Sequence, residues 1–358
     1  MKAVFRTPEE RRQMRLRGDR RARAYQIQLW CTVSILRTVV TELIPLCGSA
    51  GWWVAVTCLL PGVAVFLLLR WMMHRKGAGT LSEGVRRSAG KAGVWSLSVL
   101  LALLLLIDGA ASMTALVTIF TEGIGTEGTQ VTMAALTLAA VAGCLHRDGL
   151  PWGIWLMRRG ILLIALAAAG VMLSMIRPDG VHPLLGQSTA TMLAACRAGA
   201  SMGWCLILLL TVEDAGRGYA ARLTLPVAAT GCGGLLLCLT YPCETLLQQG
   251  TLAEKLLQGA LHLPPALRTV VHALIMLTLL LSIATAVQLA TEQLLTPSGR
   301  EVVWLPYGLA TLLAATQCLN IRALWQVLNA LLRYGPLLLV AGALLLLFRR
   351  KPCSDTSS

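Results

Sequence analysis

Apolar runs about twenty residues long recur from one end of the chain to the other, and this leaves few folds open. Crossing a bilayer takes roughly 17–25 apolar residues in an α-helix. In hydrocarbon, a helix is the element that satisfies its own backbone hydrogen bonds within one segment. Runs of this kind fall at about 26–46, 52–72, 94–119, 129–145, 154–176, 188–212, 223–243, 267–291, 302–319 and 330–348. Apolar residues make up 56% of the chain and charged residues 13%, about half the charged share of a soluble domain. The pattern predicts an all-α polytopic membrane protein of about ten transmembrane helices. Residues 1–24 form a basic cytoplasmic tail, 25–350 a permease-like transmembrane domain, and 351–358 a polar cytoplasmic tail.

The distribution of positive charge sets the orientation. With the N-terminus in the cytoplasm, the cytoplasmic segments hold 24 of the 31 Lys and Arg residues, the outer segments five and the spans two. Excess Lys and Arg on cytoplasmic loops is the usual topological bias, so both termini are expected inside. The net charge of +14 therefore points to topology and to anionic lipid at the N-terminal tail rather than to nucleic acid. Two connectors have helical character of their own. Thr80–Lys91 (TLSEGVRRSAGK) reads as a short interfacial helix, and Cys243–Pro265 reads as a segment lying over the outer mouth of the bundle.

The 11 cysteines form no CxxC pair and read as small buried residues rather than as metal ligands or disulfides. There is no HExxH, no Gly-x-Ser-x-Gly and no pair of acids at metal-binding spacing, so neither an enzyme nor a cofactor is expected.

Chemistry is concentrated in polar residues inside the spans, where an ionisable side chain costs several kcal/mol unless it faces protein or water. In Trp30–Pro45, Ser34, Arg37, Thr38 and Thr41 share one helical face. Span 3 carries Asp108 after five apolar residues, with Gly109 beside it and Ser112 one turn on. Its partner is Arg37, Arg197 or a ligand ammonium group. Span 6 carries Arg197 directly before the small-residue run Ala198, Gly199, Ala200, Ser201, Met202, Gly203. That run is either a close-packing surface or an unwound break lining a site. Span 8 aligns Ser282, Thr285, Gln288 and Glu292 along one side. Each set reads as packing through ion pairs and interhelical hydrogen bonds, or as the lining of a ligand site.

Ten spans divide into five plus five of opposite orientation, and the first span of each half carries an arginine, Arg37 and Arg197. Three further stretches carry a family likeness: Thr80–Gly93 (TLSEGVRRSAGKAG), Gly153–Gly160 (GIWLMRRG) and Pro178–Gly186 (PDGVHPLLG), the last followed by the small-residue span 6 and Glu213–Asp214. In these, and in length and span number, residues 25–350 resemble the B-subunit family of spore germination receptors. These are the endospore germination permeases of the amino acid–polyamine–organocation transporter superfamily. The resemblance implies a 5+5 inverted-repeat transporter fold with discontinuous spans 1 and 6. It implies a small ligand, typically an amino acid, held between spans 1, 3, 6 and 8. It further implies A-type and C-type receptor subunits as partners in the inner membrane of the spore. The chain departs from the family in span 1, where the family has a glycine break and this chain reads SILRT.

The expected function is therefore a germinant-sensing membrane subunit. Its ligand residues are expected to be Ser34, Arg37, Thr38, Thr41, Asp108, Ser112, Arg197, Ala198, Gly199, Ser201, Gly203, Thr285 and Gln288. An arginine would grip a carboxylate at two points. The alternatives are an amino-acid transporter, proton-coupled or exchanging, and a structural membrane scaffold without a ligand.

Overall fold

The computed structural model describes residues 8–123, 130–145, 188–199, 202–212, 218–240, 265–295, 302–319 and 322–348. These residues are almost entirely helical and include no strand. Several expectations lie outside them: span 5, the segment 243–264, the stretches 153–160 and 178–186, Ser201 and the tail 351–358.

Helix α1 (Pro8–Thr38) runs from the basic tail into the first apolar run without a break. A π-helical turn, Val39–Leu43, follows it, and the Ile44 N–H donates to the Val39 carbonyl, five residues back. The short α2 (Ile44–Cys47) ends at Gly48, whose φ of 57° places it in the region only glycine enters cheaply. After a 3₁₀ turn (Gly48–Ala50) the chain enters α3 (Gly51–Arg75). The turn is tight: a Cβ at Gly51 would lie 2.8 Å from Ile44 Cγ1.

Helix α4 (Leu81–Gly123) is two helices joined at Gly90. Beyond it come α5 (Gln130–Leu145), α6 (Thr189–Gly199), a 3₁₀ segment (Met202–Thr211), α7 (Gly218–Thr240), α8 (Pro265–Leu295), α9 (Leu305–Leu319) and α10 (Arg322–Phe348). Ten residues of 3₁₀ helix is unusually long. This one is enclosed throughout, with Met202–Leu210 all buried.

Among the described residues, four helical stretches are long and apolar enough to cross a membrane: Arg23–Arg75, Leu81–Val117, Thr189–Thr211 and Ile275–Leu295. The first contains the end of α1, from Arg23, and all of α3. At 53 residues it would measure about 80 Å if straight, far more than one crossing, and it is interrupted at Gly48. Large apolar side chains, among them Leu60, Leu67, Leu103, Leu312, Leu338 and Leu345, face outward. An exterior of this kind suits lipid and would be costly in water. The chain is a membrane-embedded helical protein.

Packing centres on α4, which lies along α8 more extensively than any other pair of elements meet. Helix α10 covers another side of α4, and α5 packs on α9. Helix α1 packs on α7, α8 and the 3₁₀ segment; α3 packs on α7, α6 and the 3₁₀ segment. Trp30 of α1 meets Trp204 of the 3₁₀ segment edge-on, with ring centroids 5.7 Å apart.

Candidate functional site

The polar face of α1 meets α4 at Asp108. The Arg37 guanidinium forms an ion pair with Asp108 through Nη2 and Oδ1, and Arg37 Nη1 donates to the Asp108 main-chain carbonyl at 3.2 Å. Ser34, one turn earlier on α1, donates to the same Oδ1 at 2.7 Å. The i, i+3 spacing of Ser34 and Arg37 makes this possible, since both reach across one helix face to a single carboxylate. Both charged side chains are withdrawn from solvent, at 7% and 2% exposure.

The pair leaves donors and acceptors unused. Among the described residues, Arg37 Nε and Asp108 Oδ2 are buried without a hydrogen-bond partner, as are the hydroxyls of Ser112 on α4 and Ser282 on α8. Buried polar atoms are normally satisfied, so the Arg37–Asp108 pair keeps unspent hydrogen-bonding capacity. Thr285, one turn beyond Ser282, is also buried.

The other residues of the α1 stripe turn inward on their own helix. Thr38 Oγ1 donates to the Ser34 carbonyl at 3.1 Å and Thr41 Oγ1 to the Arg37 carbonyl at 2.9 Å. Hydroxyl back-bonding of this kind weakens and bends helices, and here it flanks the start of the π-helical turn. Span 1 stays helical through this region and widens into the π-helical turn Val39–Leu43, with no glycine in it.

Two features of span 6 bear on the alternatives drawn from its sequence. Arg197, in the last turn of α6, is exposed, whereas Arg37 is the buried arginine that meets Asp108. The small residues serve close approach. A Cβ at Gly199 would lie 2.6 Å from Cys58 Sγ of α3, and a Cβ at Gly203 would fall on the Gly62 Cα. The backbone does change form here, since α6 ends at Gly199, which also ends its helical run through Ala198, and the 3₁₀ segment begins at Met202. Gly109, likewise, fills rather than opens space: a Cβ there would lie 3.2 Å from Leu313 Cδ1 and 3.5 Å from Ala286 Cβ.

A second polar layer lies nearer the start of α1. Arg23 pairs with Glu292 of α8. Gln26 donates to Gln288 at 2.9 Å, and Gln288 donates in turn to Glu292 at 3.2 Å. Gln288 therefore belongs to this layer, and not to the Asp108 centre. Arg23 and Gln26 escaped the sequence reading because the arginine-rich tail looked separate from the span, although both lie on one continuous helix. Cys205 escaped it too: its thiol lies 3.5 Å from Ser34 Oγ, and its carbonyl accepts from Cys31 Sγ at 3.1 Å. An i−3 spacing of Cys31 from Ser34 was the available signal.

No protein-family model matches the chain, and no curated protein matches it.

Proposed function

We propose that the chain is a ligand-sensing membrane subunit with a 5+5 transporter fold, which binds a small zwitterion at the Arg37–Asp108 centre. The observation that carries the reading is the unspent half of that ion pair. Arg37 Nε is a donor suited to a carboxylate, and Asp108 Oδ2 an acceptor suited to an ammonium group. Among the described residues, both are buried and lack partners. An α-amino acid carries those two charged groups on one carbon, and the buried hydroxyl of Ser112, one turn from Asp108 on α4, is a further candidate contact. Binding would loosen the direct pair and shift the balance between two arrangements of the bundle, by as much as the ligand prefers one over the other.

The inverted repeat has its own support. Let α1–α5 stand for spans 1–4 with α2 inside the first, α6 and the 3₁₀ segment for span 6, and α7–α10 for spans 7–10. Shifting every span by five then turns the α1–α7 contact into the contact of span 6 with α3. It turns α4–α9 into α8–α5, and α4–α5 into α8–α9. Each of these pairs is in contact, and so are the self-related pairs α4–α8, α3–α7 and α5–α9. A contact pattern that maps onto itself is what two similar halves would produce.

The likeness to germination permeases gives the reading its biological setting. The ligand would be a germinant amino acid, the membrane the inner membrane of the spore with both termini in the cytoplasm, and the readers of the shift A-type and C-type subunits. A second reading, a scaffold without ligand, is favoured by the same contacts, because Arg37–Asp108 and Arg23–Glu292 are already paired within the chain. A panel of amino acids tested by thermal shift on the purified full chain separates the two. Stabilisation by one member, weakened in Ser112→Ala, supports sensing, and a flat panel supports the scaffold. Uptake of the stabilising amino acid into proteoliposomes would instead make the chain a transporter.

A further inference from the structure

The connection from α3 into α4 is built as more than a link. Helix α3 ends in Arg75, and the chain turns at Gly77, with φ of 62°. Thr80 and Glu83 then cap the next helix. Thr80 Oγ1 accepts from the Glu83 N–H at 3.3 Å, and Glu83 Oε2 accepts from the Gly79 N–H at 2.8 Å. This is close to a capping box. The helix from Leu81 buries Leu81, Val85 and Ser88, and its outer face carries exposed Arg86 and Arg87. A short helix therefore does form within Thr80–Lys91, ending at Gly90.

At Gly90 the chain bends sharply, with φ of 74° and ψ of −164°. Only glycine holds this conformation readily, and a Cβ there would meet nothing within 4 Å. Beside the bend lies an open recess of about 560 Å³ lined by Glu83, Arg86, Arg87, Gly90 and Lys91. Some of its charge is already committed. Arg87 pairs with Glu83 and donates to the Lys76 carbonyl at 2.6 Å. Arg86 and Lys91 are exposed, and among the described residues they have no hydrogen-bond or ion-pair partner.

Two tryptophans mark the depth of the recess. Trp71 is exposed beneath the Arg75 guanidinium, which lies 3.9 Å from its ring centroid, and Trp95 is exposed one turn beyond Lys91. Exposed tryptophans are enriched at the membrane–water interface. From Lys91 the same face of α4 continues as Trp95, Val99 and Leu103, all exposed and each one turn apart. Two uncommitted cations therefore lie at one end of an outward apolar stripe that begins with Trp95, the arrangement expected of a site near lipid headgroups.

We propose that this recess binds the phosphate headgroup of an anionic phospholipid, with an acyl chain along Trp95, Val99 and Leu103. Arg86 takes the phosphate by two-point hydrogen bonding and Lys91 as a point charge. The stripe favours lipid over free phosphate, which has nothing to lay along it. The inference requires only that the chain sits in a membrane, so it stands or falls apart from the amino-acid reading.

The test is native mass spectrometry of the full chain in detergent, titrated with phosphatidylglycerol and, separately, phosphatidylcholine. One phosphatidylglycerol should bind about tenfold tighter than phosphatidylcholine, and R86Q/K91Q should abolish the preference. E83Q frees Arg87 from its carboxylate and should strengthen the preference, which guards against a variant that merely misfolds. Inorganic phosphate should not displace the bound lipid. An unchanged preference in R86Q/K91Q would overturn the proposal. So would an equal loss on neutralising the arginines of residues 11–23, or displacement by inorganic phosphate.

Discussion

Replacing Asp108 by Asn keeps the shape of the side chain and removes its charge. In the folded chain Arg37 would keep its bond to the Asp108 main-chain carbonyl, 3.2 Å away, and lose the carboxylate that neutralises it. The guanidinium is only 7% exposed, so water cannot replace the lost carboxylate. Stranding one member of a buried pair costs about 3–5 kcal/mol. Replacing both members by apolar residues of similar volume, as in R37M/D108L, removes the stranded charge and should restore stability to near wild type or above it. Equilibrium unfolding of the purified chain in mixed micelles, by titration with a denaturing detergent, reads these differences. The cycle should give single variants that are each strongly destabilised and a double variant that is not. Single variants within about 1 kcal/mol of wild type would refute the buried pair, since that is the range of exposed pairs. A double variant as unstable as the sum of the singles would refute the direct coupling of the two residues.

The half-exposed layer should respond less. Arg23 and Glu292 are 25% and 37% exposed, so E292Q should cost about 1 kcal/mol or less in the same unfolding assay. Gly203→Val should destabilise by at least about 1–3 kcal/mol, because the atom it strikes is the Gly62 backbone, which cannot rotate away. Gly90→Ala should cost about 1–3 kcal/mol from backbone strain alone, since its Cβ meets nothing; an unchanged stability would mean that the bend relaxes. Cys353, in the C-terminal tail, should react with a membrane-impermeant thiol reagent only from the cytoplasmic side of sealed vesicles.

The membrane class and the need of Asp108 for a cationic partner were legible from residue type alone. Apolar run length dictates the first, and the cost of a lone charge in hydrocarbon dictates that Asp108 must find a cation. Which cation was not legible. Arg37 and Arg197 have equal chemistry, and the choice depends on which helix face meets α4, a property of packing. The small residues of span 6 were ambiguous for the same reason. Glycine permits both a broken helix and a close contact, and at Gly203 the deciding fact is the position of Gly62, 141 residues earlier in the chain. Thr38 and Thr41 looked like site residues because hydroxyls at that spacing share a face. In the fold their hydrogen bonds go to the preceding turn, a choice local enough that the pattern alone leaves it open.

The most direct test of the central claim is ligand binding by the charge-pair double variant. R37M/D108L should fold, so loss of binding in it would report the site rather than the scaffold. Calorimetric titration of wild type and double variant with the amino acid that stabilises the wild type gives the comparison. Saturable binding to the wild type and none to the folded double variant is the predicted result. Equal affinity in both would contradict a binding site at the Arg37–Asp108 pair.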